Sequence, residues 1–164
     1  MKYTLISLFF IIITICSYSQ NIPSVIIKDL HGNNVNSRNI INNDGNPVLL
    51  SFWATWCRPC IQELTAFDYE YIDWQEEFNL KIVAVSIDDT RSTNRVGPFV
   101  NGRGWEFDFY LDANHDFKRA MNVGNVPHTF LLDAKGNILW QHTSYTAGDE
   151  QKVYQELTKL KNKQ

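Results

Sequence analysis

Cys57 and Cys60 are separated by two residues, Arg58 and Pro59. Thiols at that spacing can close a disulfide, hold a soft metal ion, or attack other disulfides in turn. A bridge across two intervening residues closes almost no loop, so it removes little entropy from the unfolded chain. Its purpose is therefore chemical rather than structural. The pair stands where an apolar run, residues 48–54 (VLLSFWA), gives way to a helical pattern that begins at Arg58. Unpaired backbone N–H groups and the helix dipole favour negative charge at a helix N-terminus. The Cys57 thiolate is thus expected to be stabilised, with a pKa below the free value of about 8.5. Cys60, one turn further in, faces the same side and is less exposed. The resulting division of labour has Cys57 attacking a substrate disulfide and Cys60 resolving the mixed disulfide. Arg58 adds a positive neighbour to the nucleophile.

Metal chemistry is narrowed by the rest of the sequence. A structural zinc site needs further ligands, commonly a second Cys/His pair, and the only other cysteine is Cys16. Covalent attachment of c-type haem needs His directly after the second Cys, where Ile61 stands. A Cu(I) site from Cys57, Cys60 and His128 stays open, because two thiolates and one imidazole suit that ion. Otherwise no cofactor is expected. His31, His115 and His142 read as turn, helix and strand-edge residues without partners.

The elements that must position the pair follow from periodicity. Residues 48–54 and 80–87 (LKIVAVSI) are continuous apolar runs and predict buried strands. Between them, Ile61, Leu64, Phe67, Tyr71, Trp74 and Phe78 recur at steps of three or four, which predicts a helix over Arg58–Phe78. Pro59 falls in its first turn, where a missing N–H costs little. Residues 24–28 and Val35 flank a turn-rich stretch and predict a hairpin, with Ser37 capping a short turn over residues 38–41. Residues 88–104 are polar, broken by Gly97-Pro98, and predict a short irregular helix. Residues 107–111 predict a strand and 115–121 one or two helical turns. Residues 129–133 and 138–142 predict a second hairpin around Ala134-Lys135-Gly136-Asn137, and Glu150–Lys161 a final helix. Strand, helix, strand, then hairpin and helix describe an α/β fold with a central mixed sheet flanked by helices. The cysteines fall at the carboxyl end of a central strand, a favoured ligand position in open sheets.

Composition bounds the class. The chain has 164 residues, of which 44% are hydrophobic and 20% charged, which fits one globular domain with a real core. A net charge of −3 with no basic block excludes a nucleic-acid surface. The first residues belong to a different class. Met1-Lys2-Tyr3 is followed by an apolar run over residues 5–15, then Ser17-Tyr18-Ser19, the order of a secretory signal peptide. That run is shorter than the roughly 20 apolar residues a membrane helix needs. The expectation is a signal peptide over 1–19 that removes Cys16, a domain over 20–164, and a periplasmic location, with an uncleaved anchor as the alternative.

The segment Phe52-Trp53-Ala54-Thr55-Trp56-Cys57-Arg58-Pro59-Cys60 resembles the active-site segment of thioredoxin-fold proteins. With the signal, the N-terminal hairpin and the central insertion over 88–104, the chain is similar to TlpA/ResA-type thiol-disulfide oxidoreductases. A second match, Val126-Pro127-His128-Thr129-Phe130, resembles the loop whose cis-proline sits beside the active-site sulfurs. The resemblance implies a thioredoxin-like fold and an incoming peptide or disulfide that meets Trp56, Arg58, Pro59, Val126 and Pro127. Thioredoxins carry a buried Asp where Ser51 stands, and serine cannot serve as that base. ResA-like proteins carry a Glu three residues after the second Cys, and Glu63 holds that place. The resemblance implies that Glu63 shuttles the Cys60 proton, the alternative being a solvent-facing Glu paired with a cation. It also implies protein-disulfide substrates, such as those of apocytochrome c, and electrons from a membrane donor. The Cu(I)-binding relatives space their cysteines by three residues, unlike this chain. A peroxidase on this fold would need a cysteine among Thr and Arg in another motif, which the sequence lacks.

Overall fold

Every residue of the strand Val48–Trp53 is buried, so this segment lies at the middle of the fold with both faces covered. A computed structural model describes residues 21–162 and places around it a seven-stranded mixed sheet. The signal segment expected over 1–19, with Cys16, lies outside the described residues. The strands are β1 (Ile26–Asp29), β2 (Asn34–Asn36), β3 (Val48–Trp53), β4 (Lys81–Ser86), β5 (Asp108–Leu111), β6 (His128–Leu132) and β7 (Ile138–Thr143). Their order is β2-β1-β5-β4-β3-β6-β7, with β3, β4 and β5 parallel and the remaining pairings antiparallel. The helices are α1 (Ser37–Ile40), α2 (Arg58–Phe78), α3 (Val96–Arg103), α4 (Asp116–Ala120) and α5 (Glu150–Lys161). The thioredoxin-like α/β fold with N-terminal hairpin and central insertion is thus present.

Alternation along β3 assigns the layers. Ser51 meets Glu63 of α2, and Trp53 packs at 5.9 Å from Phe99 of α3. Phe52 points the other way, 5.1 Å from Phe117 of α4. Helix α5 lies beside α2 through Phe78 and Tyr154, whose rings are 5.6 Å apart. The insertion does more than bridge two strands. Its Phe99 joins Trp53, Trp105 and Phe109 in an aromatic cluster beneath the end of β3.

Both hairpins close by one device. Asp29 accepts from the backbone N–H groups of His31 and Asn33, and Asp133 accepts from those of Lys135 and Asn137. The glycines between, Gly32 and Gly136, take φ of +87° and +78°, which L side chains avoid. Helix α1 corrects one expectation. Its N-cap is Asn36, whose side chain accepts from Arg38 N, and not Ser37. The Ser37 hydroxyl is instead buried, donating to Pro23 O and accepting from Val25 N, because tertiary contact with the preceding segment takes it first. Two histidines also have partners that the sequence did not suggest. His115 Nε2 lies 2.8 Å from Ile87 O, and His142 Nε2 lies 3.3 Å from Asp149 Oδ2.

Phe117 is fully buried and couples α4 to the sheet through Phe52. Phe117→Ala is expected to cost about 3–5 kcal/mol of unfolding free energy, measured by denaturant titration. A cost below about 1 kcal/mol would show that this face of the sheet repacks without it.

Candidate active site

The turn ahead of α2 is fixed before any sulfur is considered. Asp88, just beyond β4, is fully buried and accepts from Thr55 N at 2.8 Å, Thr55 Oγ1 at 2.6 Å and Ser86 Oγ at 2.8 Å. Cys57 N donates to Ala54 O, which closes the turn. Cys57 then caps α2, its Sγ accepting from Cys60 N at 3.3 Å, and Pro59 occupies the first turn as expected. Cys57 and Cys60 form a disulfide with Cα atoms 5.3 Å apart. The two sulfurs are not equivalent. Cys57 retains 6% exposure and Cys60 none, so an approaching reagent meets Cys57 first.

The Val126–Pro127 peptide bond is cis, and the Val126 carbonyl oxygen lies 3.7 Å from Cys57 Sγ. Pro127 O accepts from Ser144 N, which ties this loop to the end of β7. Trp56, at 66% exposure, stands on the open side, and Arg58 and Pro59 are exposed beside it. The structure therefore brings together Trp56, Cys57, Arg58, Pro59, Cys60, Val126 and Pro127. Trp53, by contrast, is wholly buried.

Glu63 is not the solvent-facing residue of the alternative reading. It is 2% exposed, in the buried stripe of α2 with Cys60, Leu64 and Phe67. Its Oε2 accepts from Ser51 Oγ at 2.9 Å and Thr129 Oγ1 at 3.0 Å. Burial pushes its pKa up from 4.5 to about 8, the two hydroxyl donors working against that rise and the charge of Asp149 with it. Ser51 is thus a partner of the carboxyl rather than a replacement for it.

His128 is also accounted for. It stacks on Phe130 at 4.4 Å, with Nε2 3.1 Å from Gln141 Oε1 and Nδ1 3.4 Å from Thr143 Oγ1. Burial lowers its pKa. Among the described residues, no group of three or more His, Cys, Asp or Glu side chains is gathered so as to hold a metal ion. Sequence reasoning missed Asp88, although a carboxylate directly after a buried parallel strand was a readable signal. It also missed Thr129, whose link to Glu63 depends on strand register and left no local trace.

Residues 18–141 match the model of the AhpC/TSA family. The chain is similar to the thiol-disulfide oxidoreductase ResA of Bacillus thuringiensis, 30% identical over 119 residues, which cover 73% of this chain and 65% of that protein. The chain therefore spans just under two thirds of that relative's length. It is also similar to ResA of Halalkalibacterium halodurans, 27% identical over 96% of this chain and 86% of the relative. In structure it resembles a thioredoxin-like protein of Porphyromonas gingivalis, with 42% identity and a TM-score of 0.75 over 85% of this chain and 90% of that one.

The buried carboxyl makes stability depend on pH. The unfolded chain releases this proton near pH 4.5 and the folded protein near pH 8, so the folded state binds more protons in between. Glu63's contribution is full below pH 4.5 and is lost as pH rises through about 8. The loss is expected to be on the order of a few kcal/mol between pH 5 and 9. Urea titrations of the oxidised protein across that range should show it, and Glu63→Gln should remove most of the dependence. An unchanged dependence in the Gln variant would place the responsible group elsewhere.

Proposed function

The chain belongs to the AhpC/TSA family, as a TlpA/ResA-type thioredoxin-like protein, and we propose that it works as an exported thiol-disulfide oxidoreductase that reduces protein disulfides. The observation that carries this reading is the asymmetric Cys57–Cys60 disulfide at the N-terminus of α2, facing the Val126 carbonyl. In the reduced protein the Cys57 thiolate attacks one sulfur of a substrate disulfide. A bond forms between Cys57 and that sulfur, and the other substrate sulfur leaves as a thiolate. Glu63 takes the proton of Cys60, whose thiolate attacks the Cys57 sulfur and expels the second substrate thiolate. Two electrons pass to the substrate and the Cys57–Cys60 disulfide remains. Burial supports the role of Glu63, since a carboxyl that titrates near pH 8 is matched to a thiol, and its ionised fraction is basic enough to accept the Cys60 proton.

The substrate approaches across Trp56, Arg58 and Pro59 and lies against the backbone of Val126 and Pro127. Extended peptide disulfides, those of apocytochrome c among them, fit an open site lined by backbone and one exposed indole. The apolar run over residues 5–15 supports export, and a membrane donor would return the pair to the dithiol. No helix among the described residues is long and apolar enough to cross a membrane. A Cu(I) site on Cys57, Cys60 and His128 would need His128 to leave Gln141 and Thr143. Insulin-disulfide reduction set against Cu(I) titration of the reduced protein separates the two readings.

Iodoacetamide at neutral pH is expected to label Cys57 of the reduced protein first, and Cys60→Ala to accumulate mixed disulfides on Cys57. Labelling of Cys60 first, read by peptide mass mapping, would reverse the assignment. Arg58 makes no ion pair among the described residues and is exposed, so its effect on the thiolate is small and screened. Arg58→Glu destabilises the thiolate, hence the dithiol state, and should make the reduction potential more negative by at most about 20–30 mV. Equilibration with glutathione measures this, and a shift toward more oxidising values would contradict the electrostatic account.

A further inference from the structure

Helix α2 buries one face, with Cys60, Glu63, Leu64, Phe67, Trp74 and Phe78 in the core. Positions 58, 62, 65, 69, 72 and 76 recur at steps of four and three along the opposite face, so neighbours in that row adjoin one another. A solvent-facing stripe is ordinarily polar. This one carries Tyr69 at 82% exposure and Ile72 at 68%, and turns polar again at Glu76. The row starts at Arg58, inside the disulfide site, so the apolar stretch continues the surface that a substrate crosses. It is also concave. Ile61, Thr65, Ala66 and Tyr69 line a mostly apolar groove of about 380 Å³, with Arg103 of α3 and Tyr145 of the segment after β7 at its margins. Both margins are held in place. The Arg103 guanidinium lies 4.9 Å from the centre of the Phe99 ring and 5.6 Å from that of Trp105, and it makes no ion pair among the described residues. Tyr145 Oη donates to Glu150 Oε2 at 2.8 Å. An incoming side chain meets walls that are already ordered, which lowers the cost of binding.

We propose that this groove is a second contact for the protein substrate, taking a bulky apolar side chain, aromatic by preference, from the same segment that presents its disulfide to Cys57. The inference rests on the disulfide-reductase reading and adds a sequence preference to it. Helix rise sets the register. From Arg58 to Ala66 the helix climbs about 12 Å, which an extended chain covers in about four residues. The apolar residue therefore stands about four positions from the substrate cysteine. Burying it against Tyr69, Ala66 and the aliphatic part of Ile61 supplies the affinity. Arg58 and Arg103 are exposed cations without an acidic partner among the described residues, one at each end of this path, and they favour an acidic residue beside the apolar one. A small disulfide reaches Cys57 without touching the groove, so the preference belongs to protein and peptide substrates alone.

The test uses extended peptides with one cysteine, held as its mixed disulfide with thionitrobenzoate, and with Phe or Ser four positions before or after it. Attack of reduced Cys57 on the cysteine sulfur releases thionitrobenzoate, whose absorbance gives the rate, and Cys60 then expels the peptide thiolate. In one of the two placements the Phe peptide should exceed the Ser peptide about threefold to tenfold in kcat/KM, through KM. Tyr69→Ala, which opens the groove, and Ala66→Gln, which fills it, should each remove that difference and leave the rate with dithiobis(nitrobenzoate) unchanged. Arg103→Gln should slow a peptide with Glu beside the Phe about twofold to threefold at low salt. Binding is followed without any redox step by the Tyr69 and Tyr145 ring signals in NMR, which should shift with the Phe peptide carrying Ser for Cys. Equal rates for the Phe and Ser peptides in both placements would overturn the groove, as would an equal loss toward every disulfide in Tyr69→Ala. A dimer in light scattering that Tyr69→Ala dissociates would assign the groove to a second copy and overturn the substrate contact. Ring signals that shift while no disulfide is reduced would overturn the disulfide-reductase reading and keep the groove as a peptide site.

Discussion

Asp88 accepts three hydrogen bonds in a site closed to water, two of them from Thr55, and never touches a sulfur. Thr55 lies in the turn between β3 and α2, so these bonds decide where α2 begins. The position of Cys57 relative to the Val126 carbonyl follows from that start, as does the pointing of the α2 N–H groups. A buried carboxyl is tolerable only when its oxygens are satisfied, and removing one donor leaves the others to bear the desolvation cost. The constraint is therefore cooperative: β4 supplies Ser86, the active-site turn supplies Thr55, and neither end can drift alone.

Glu63 is the counterpart of that arrangement. Both of its donors bind the same oxygen, Oε2, and both are neutral hydroxyls. Two such bonds do not compensate for the loss of water, so the carboxyl holds its proton to about pH 8. The protein thus buries two carboxyls close to one helix N-terminus and gives them different surroundings. One is saturated with donors and fixes geometry. The other is under-supplied with donors and titrates in the range where thiols do.

The site also depends on parts remote in sequence. The cis peptide at Val126–Pro127 faces Cys57 because β6 pairs antiparallel with β3, which carries the start of β6 to the carboxyl end of β3. The insertion holding α3 packs Phe99 against Trp53, one turn of chain ahead of the cysteines. Both hairpins are closed by an Asp and a positive-φ glycine, and the second carries a register irregularity at Leu131/Leu132 beside its turn.

Local pattern was enough to reveal much of this. The two-residue spacing of the cysteines, the helix stripe from Arg58 to Phe78, the buried runs that became β3 and β4, and the Asp-Gly turns are all written within a few neighbouring residues. Their physics is local, since periodicity, caps and turn conformations act over one or two turns of chain. Only the tertiary structure decided how Glu63 is surrounded. Its donors sit 12 and 66 residues away, and register between strands selects them. The same holds for the Thr55–Asp88 bond, 33 residues apart, and for the partners of His115, His128 and His142. Ser37 shows the competition directly. Its sequence position suited a helix cap, and a contact with Pro23 and Val25 took the hydroxyl instead. A side chain's polarity is legible from its type, but its partner and its proton depend on which distant segment closes over it.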